Sequence, residues 1–153
     1  MTQSFDNSFK KLEKLVMEDM RKIYSEKVID HFLNPRNLGR IQAPDGFGRA
    51  TGPCGDTMEI YLSVNGDKVI NATFWTDGCG PSIASGSMVT ELIKEKSIFE
   101  AQKISSDDIL NALGGLPEES WHCALLAANT LKEAVRNYLA FKNEPWKRLY
   151  RVH

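Results

Sequence analysis

Thr57-Met58-Glu59-Ile60-Tyr61-Leu62-Ser63-Val64-Asn65-Gly66-Asp67-Lys68-Val69-Ile70-Asn71-Ala72-Thr73-Phe74-Trp75-Thr76 is the stretch that decides the fold. Residues 57 to 64 and 69 to 76 alternate with the two-residue period of half-buried strands, and Asn65-Gly66-Asp67-Lys68 between them is turn chemistry. Directly opposite residues of an antiparallel pair share a face. With Gly66-Asp67-Lys68 as a three-residue loop, Met58, Ile60, Leu62 and Val64 face Thr76, Phe74, Ala72 and Ile70. A two-residue Gly66-Asp67 turn sets the same row against Val69, Asn71, Thr73 and Trp75, a poorer face. The three-residue loop is therefore expected. Counted outward to the open end of this hairpin, Cys54 lies level with Gly80 and Cys79 level with Gly55, so two distant cysteines arrive as neighbours.

Elsewhere the chain reads as helix. Residues 8 to 33 carry apolar side chains at three- and four-residue steps, with a break near Tyr24-Ser25 and a stop at Asn34-Pro35. Residues 36 to 53, rich in Gly and Pro, read as a mobile covering loop with at most one short strand. Gly80-Pro81 opens a helix that runs through Lys96, with proline at its first position. Ser105-Ser106-Asp107-Asp108 is a capping box for a short helix ended by Gly114-Gly115. A long helix runs from about Ser120 to Phe141 with Leu125, Leu126, Ala128, Leu131, Val135 and Leu139 inward. Trp146 and Tyr150 would anchor the tail. The organisation expected is an N-terminal helical extension (1–22), one domain (23–141) and a C-terminal tail (142–153). The fold class is α+β, a small antiparallel sheet of about three strands packed on one face by several helices.

The chain has 153 residues, 42% hydrophobic and 25% charged, with net charge −1. Those values suit one soluble domain. There is no basic excess for nucleic acid and no apolar run long enough to span a membrane. The first residues resemble neither a secretory signal nor a transit peptide. Free cysteines in such a chain fit a reducing cytoplasm, where thiols serve as ligands or nucleophiles.

Three cysteines occur. Cys54 sits in Gly52-Pro53-Cys54-Gly55-Asp56, Cys79 in Asp77-Gly78-Cys79-Gly80-Pro81, and Cys123 follows His122. Cys79 precedes one helix N-terminus and Cys123 falls in the first turn of another, where the helix dipole favours a thiolate. Asp56 follows Cys54 at the spacing that puts both on one side of an extended segment. Cys54, Asp56, Cys79 and Cys123 thus form a set of three thiolates and one carboxylate, with His122 as an exchangeable ligand. Zinc and iron–sulfur clusters both take such donors. A hard, weak fourth ligand suits a site that must release its cargo. Against this stand blander roles: buried cysteines as small hydrophobes, Asp56 capping a turn, and His122 as an ordinary first-turn residue. His31 is read as solvated or packing, and Trp75 and Trp121 as packing.

Tyr24-Ser25-Glu26-Lys27-Val28-Ile29-Asp30-His31-Phe32, then Asn34-Pro35-Arg36-Asn37-Leu38-Gly39, resembles the N-terminal signature of IscU-type iron–sulfur cluster assembly scaffolds, also called NifU N-terminal domains. Cys54-Gly55-Asp56, Gly78-Cys79-Gly80, Ile83-Ala84-Ser85 and His122-Cys123 continue it in order, over roughly Tyr24 to Leu139. The resemblance implies a scaffold or carrier rather than an enzyme. It would receive sulfur as persulfide from a cysteine desulfurase and Fe2+ and electrons from other donors. It would build a [2Fe–2S] cluster and pass it to apo acceptor proteins. It assigns Cys54, Cys79 and Cys123 as cluster ligands, Asp56 as the labile ligand or iron-site residue, His122 as the alternative ligand, and Cys123 as the persulfide acceptor. Zn2+ is implied as an occupant of the same site.

The chain departs from the family in three places. Members served by a dedicated Hsp70-type chaperone carry Leu-Pro-Pro-Val-Lys before the His-Cys pair; here Leu116-Pro117-Glu118-Glu119-Ser120 stands instead, which argues against that partner. Within these 153 residues no CxxC-bearing C-terminal module is expected. Residues 1 to about 22 exceed the usual start, and their apolar stripe would pack on the domain or make a homo-oligomer contact. Two competing readings are sulfur relay alone, with Cys123 accepting persulfide beside a held zinc, and a structural zinc domain. His122 and the short interval between the second and third cysteines favour the IscU type over the SUF type.

Overall fold

The sheet forms around the 57–76 hairpin, and the computed structural model describes residues 2–144 of the chain. Trp146 and Tyr150 lie outside the described residues. Three strands, β1 (Gly46–Thr51), β2 (Thr57–Asn65) and β3 (Lys68–Thr76), pair antiparallel in the order β1-β2-β3. Among the described residues six α-helices accompany them: α1 (Thr2–Ile23), α2 (Glu26–Leu33), α3 (Gly80–Ile93), α4 (Ile98–Ala101), α5 (Ser106–Leu113) and α6 (Trp121–Asn143). This is the α+β architecture expected.

In the hairpin, Met58, Ile60 and Leu62 oppose Thr76, Phe74 and Ala72, as the apolar row requires. The turn differs from expectation. Asn65 pairs with Lys68, so only Gly66 and Asp67 turn the chain, at φ +59° and +61°. Positive φ at both central residues matches the twist of the flanking strands. The extra residue is absorbed one step on, where the register slips between Ser63 and Val64 and leaves Ile70 unpaired. This bulge puts Val69 in the core and Ile70 half in solvent, and it returns Ala72 and Phe74 to the buried face.

β1 corrects the expectation of a mobile cover over residues 36–53. Its glycines are buried because α6 lies directly on them: a Cβ at Gly48 would stand 2.3 Å from the Thr130 carbonyl oxygen and 2.5 Å from the Ala134 nitrogen. Glycine-rich sequence reads as loop when only local signals are weighed, but here it admits a helix backbone to close range. The loop before β1 is also tied down. Asn37, at φ +64°, accepts from the Phe74 amide at 2.9 Å, and Gly39 donates to the Phe74 carbonyl at 2.8 Å. Arg40 then crosses the outer sheet face, with its guanidinium 4.7 Å over Trp75 and Nε 3.1 Å from Glu59 Oε1.

The core lies between the sheet and the pair α3 and α6, filled by Met58, Ile60, Leu62, Phe74, Val89 and Leu131. The break near Tyr24-Ser25 occurs as expected: Ser25 caps α2 by accepting from the Val28 amide at 3.1 Å, and its hydroxyl donates to the Leu113 carbonyl. The capping box at Ser105 and Asp108 forms, and Gly114 ends α5 in the left-handed region at φ +77°. α3 ends at Ile93, short of Lys96. Leu125, expected inward, is 50% exposed on the outer face of α6. α1 begins at Thr2 and carries Phe5, Phe9, Leu12 and Val16 exposed, so its stripe does not pack on the domain. No helix among the described residues is long and apolar enough to cross a membrane.

Candidate functional site

The site is built where the β1–β2 turn meets the N-terminal ends of α3 and α6. Thr51 pairs with Thr57, so residues 52–56 are a tight turn and not an extension of β2. Gly52 donates to the Asp56 carbonyl at 2.8 Å, and Gly55 takes φ +85°. Only a residue without Cβ adopts that conformation freely. The cysteines therefore do not meet by the level pairing expected across an extended hairpin. Cys54 does not reach Gly80 along a strand, and Cys54 and Asp56 do not share a face by the pleat. The turn itself carries both toward the helix ends.

The far side of the hairpin is pinned to match. The Asp77 carboxylate accepts from the Thr57 amide at 2.7 Å, and Thr76 donates to the Thr57 carbonyl at 2.7 Å. Thr76 Oγ1 also accepts from the Gly78 amide at 3.1 Å. The chain is therefore held rigidly up to Cys79, which occupies the N-cap of α3 with extended backbone, at φ −81° and ψ −171°. Pro81 follows in the first turn, as the sequence implied. Cys54 and Cys79 are exposed and Cys123 is buried, all as free thiols.

His122 joins two of the cysteines. Its Nε2 stands 3.3 Å from Cys54 Sγ and 3.6 Å from Cys123 Sγ. Asp56 is brought in by Ser82, whose Oγ lies 3.5 Å from Asp56 Oδ2 and 3.3 Å from Cys123 Sγ. Cys54, Asp56 and Cys79 all lie close enough to bear electrostatically on Cys123. Cys54, His122 and Cys123 thus meet, Asp56 is joined to them through Ser82, and Cys79 stands at the N-cap of the helix that carries Ser82. They are grouped rather than closed: among the described residues, no three of them already enclose a single metal position.

Position at a helix start was expected to favour a thiolate at Cys123, but burial wins. It pushes the Cys123 thiol up, and the Ser82 hydrogen bond pulls in the opposite direction. Neighbouring Cys79, Asp56 and Cys54 add to the upward shift, since negative charge beside a thiol disfavours its anion. A cation arriving among these donors would reverse that balance, which is the usual coupling of thiolate formation to metal binding. Three sulfurs, one carboxylate oxygen and one imidazole nitrogen suit zinc or iron–sulfur species.

Ser82 was not identified from the sequence. One signal was present: it is a polar residue in the first turn of a helix that begins beside Cys79. Its aim, however, depends on where α6 lies. The N-terminal motif also acquires a meaning. An apolar cavity of about 380 Å³ opens beside Cys79, lined by Tyr24, Val28, Phe32 and Pro81 among others. His31 is a packing residue, 9% exposed, with Nδ1 2.7 Å from Ser87 Oγ. Ser87 Oγ also accepts from the Arg36 amide at 2.9 Å, so the Asn-Pro-Arg-Asn segment locks α2 against α3. Trp121 is half-exposed, with its indole donating to the Leu116 carbonyl at 2.9 Å.

Comparison with known proteins gives a consistent result. The NifU-like N terminal domain family model matches residues 23–145. An iron–sulfur cluster assembly scaffold protein IscU 1 of Archaeoglobus fulgidus is 48% identical over 117 residues, covering 76% of either chain. The iron–sulfur cluster assembly scaffold protein IscU of Escherichia coli is 47% identical over 120 residues, covering 75% of this chain and 93% of its own. Among solved structures, a NifU-like N-terminal protein from Brucella abortus superimposes with TM-score 0.60 at 18% identity, over 77% of this chain and 95% of that one; it speaks for the fold alone. A protein described as a putative iron–sulfur cluster assembly scaffold for the SUF system, from Fervidobacterium islandicum, superimposes with TM-score 0.61 at 25% identity, over 74% and 97%.

Proposed function

Because the chain belongs to the NifU-like N-terminal domain family, we propose that it is a scaffold on which iron–sulfur clusters are assembled and from which they are passed on. The observation that carries this reading is the convergence of Cys54, His122 and Cys123, with Asp56 joined through Ser82, from three separate parts of the chain. The cargo is a [2Fe–2S] cluster with Cys54, Cys79 and Cys123 as its thiolate ligands. Asp56 is the labile fourth ligand and His122 the alternative. Zn2+ can occupy the same donors before iron arrives.

Sulfur comes as persulfide from a cysteine desulfurase. The Cys123 thiolate attacks the outer sulfur, the donor's S–S bond breaks, and the donor cysteine leaves as thiolate. No net oxidation accompanies that transfer; reduction of the sulfur to sulfide needs electrons from a separate donor, as iron needs its own. The cysteines stay reduced in the cytoplasm, and apo acceptor proteins take the finished cluster. Glu118 and Glu119 are exposed ahead of α6, which supports working without a dedicated Hsp70-type chaperone.

The test is anaerobic reconstitution with iron, cysteine and a catalytic amount of desulfurase, followed by absorption and Mössbauer spectra. A [2Fe–2S] signature is expected, lost on substitution of Cys54, Cys79 or Cys123 and transferable to an apo-ferredoxin. Tightly held zinc with no cluster, even after the metal is stripped, would overturn the reading in favour of sulfur relay or structural zinc. Persulfide on Cys123 would then separate those two.

A further inference from the structure

Buried hydroxyls on α3 and α6 mostly satisfy themselves on their own helix. Ser85 donates to the Pro81 carbonyl, Thr90 to the Gly86 carbonyl and Thr130 to the Leu126 carbonyl. Such backbone partners are the ordinary fate of Ser and Thr within helices. Ser82 is different. It is fully buried, and its hydrogen-bond partners are two side chains of the site, Cys123 Sγ at 3.3 Å and Asp56 Oδ2 at 3.5 Å. The space for this meeting is left by Gly78, where a Cβ would lie 2.7 Å from Ser82 Oγ and 3.0 Å from Asp56 Oδ2.

We propose that Ser82 is a positioning residue of the cluster site, whose single hydroxyl proton is shared between Cys123 Sγ and Asp56 Oδ2. A hydroxyl carries one O–H donor, so it serves one acceptor fully at a time. While Asp56 accepts that hydrogen bond it is restrained from iron, and the Cys123 sulfur is without its donor. When Asp56 turns to a metal, the Ser82 hydroxyl keeps its proton and directs its hydrogen bond wholly to the Cys123 sulfur, moderating the charge there. Ser82 thereby links the harder, exchangeable ligand to the sulfur that receives cargo. Outer hydrogen bonds of this kind orient metal ligands and tune the metal they hold. The proposal rests on the scaffold reading for its cargo, but not for its geometry.

Ser82→Thr and Ser82→Val have the same shape and differ by the hydroxyl, so packing effects cancel in their comparison; Ser82→Ala gives the deletion with least bulk. Two measurements apply. The first uses Co2+ alone, titrated into metal-free protein, and records the sulfur-to-cobalt charge-transfer bands. The second is the reduction potential of the reconstituted cluster. Without the hydroxyl, a ligand sulfur donates more strongly, so Ala and Val variants should show bands at lower energy and a lower potential, with Thr close to the wild type. Thr and Val alike, or Ala indistinguishable from the wild type, would overturn the proposal. If the wild-type protein forms no cluster but shows cobalt–thiolate bands, the scaffold reading fails while the cobalt arm still decides the role of Ser82.

Discussion

Replacing Gly48 by alanine tests the packing on which the site depends. Two effects of opposite sign compete. In a chain whose native backbone accepts it, Gly→Ala stabilises by about 0.4–1 kcal/mol by restricting the unfolded state. Here the new Cβ would stand 2.3 Å from the Thr130 carbonyl oxygen, 2.5 Å from the Ala134 nitrogen and 3.0 Å from its Cα, all α6 backbone with no side chain to swing aside. Restoring ordinary contact of about 3.5 Å requires α6 to retreat by about 1 Å. Overpacking of this kind costs about 1–3 kcal/mol, and a rigid backbone neighbour places it at the upper end. A net loss of about 2–3 kcal/mol lowers Tm by roughly 4–12 °C for a domain of this size. α6 also carries His122 and Cys123 at its start, and a displacement near 1 Å is enough to spoil a reacting geometry by about a hundredfold. Thermal unfolding followed by circular dichroism, with cluster yield measured on the folded fraction at low temperature, reads both. Gly52→Ala is the control, since its Cβ would meet nothing nearer than 3.6 Å. A Gly48→Ala protein as stable as the wild type would refute the account of how α6 sits on the sheet.

Other outcomes follow from the same structure. Asp56→Ala should keep a loaded cluster longer than the wild type, because a carboxylate is a harder and more exchangeable ligand to this centre than thiolate; an unchanged lifetime in a chelator-challenge assay would remove that role. Burial, with Arg36 assisting, holds the His31 imidazole below its ordinary 6.5. The unfolded chain then binds a proton that the folded one does not, so stability should rise with pH up to about 6.5 and level off above it. His31→Asn should flatten that rise, as compared by urea unfolding at pH 5 and pH 7.5. Ser105→Ala removes the capping box at the start of α5 and should cost about 1 kcal/mol, read as a lower urea midpoint at unchanged slope.

The candidate donors could be named from the sequence because their chemistry travels with residue type. Three cysteines among glycines, an aspartate beside the first and a histidine beside the last name soft-metal ligation wherever the fold puts them. Several helix boundaries were legible too, since caps act over a few residues: the break at Tyr24-Ser25, Pro81, Ser105 and Gly114 all fall where their neighbours imply, whereas the end of α3 does not. So was the buried row of the hairpin, because alternation decides which face is apolar. What the sequence alone misjudged was non-local. The glycines of β1 read as loop until Thr130 and Ala134 of α6 are laid on them. The bulge at Ile70 lets a two-residue turn coexist with the favoured row, a compromise between turn twist and face burial that neither signal shows alone.

The site divides the same way. Sequence determined which side chains offer sulfur, carboxylate and imidazole donors. Tertiary structure decided how they meet: a turn at 52–56 rather than a lengthened strand, His122 set between Cys54 and Cys123, and Ser82 aimed at both Cys123 and Asp56. The reason is that ligand chemistry belongs to single side chains, whereas a shared hydrogen bond requires two helix ends and a turn to be held within a few ångströms, and only packing across the whole core holds them there.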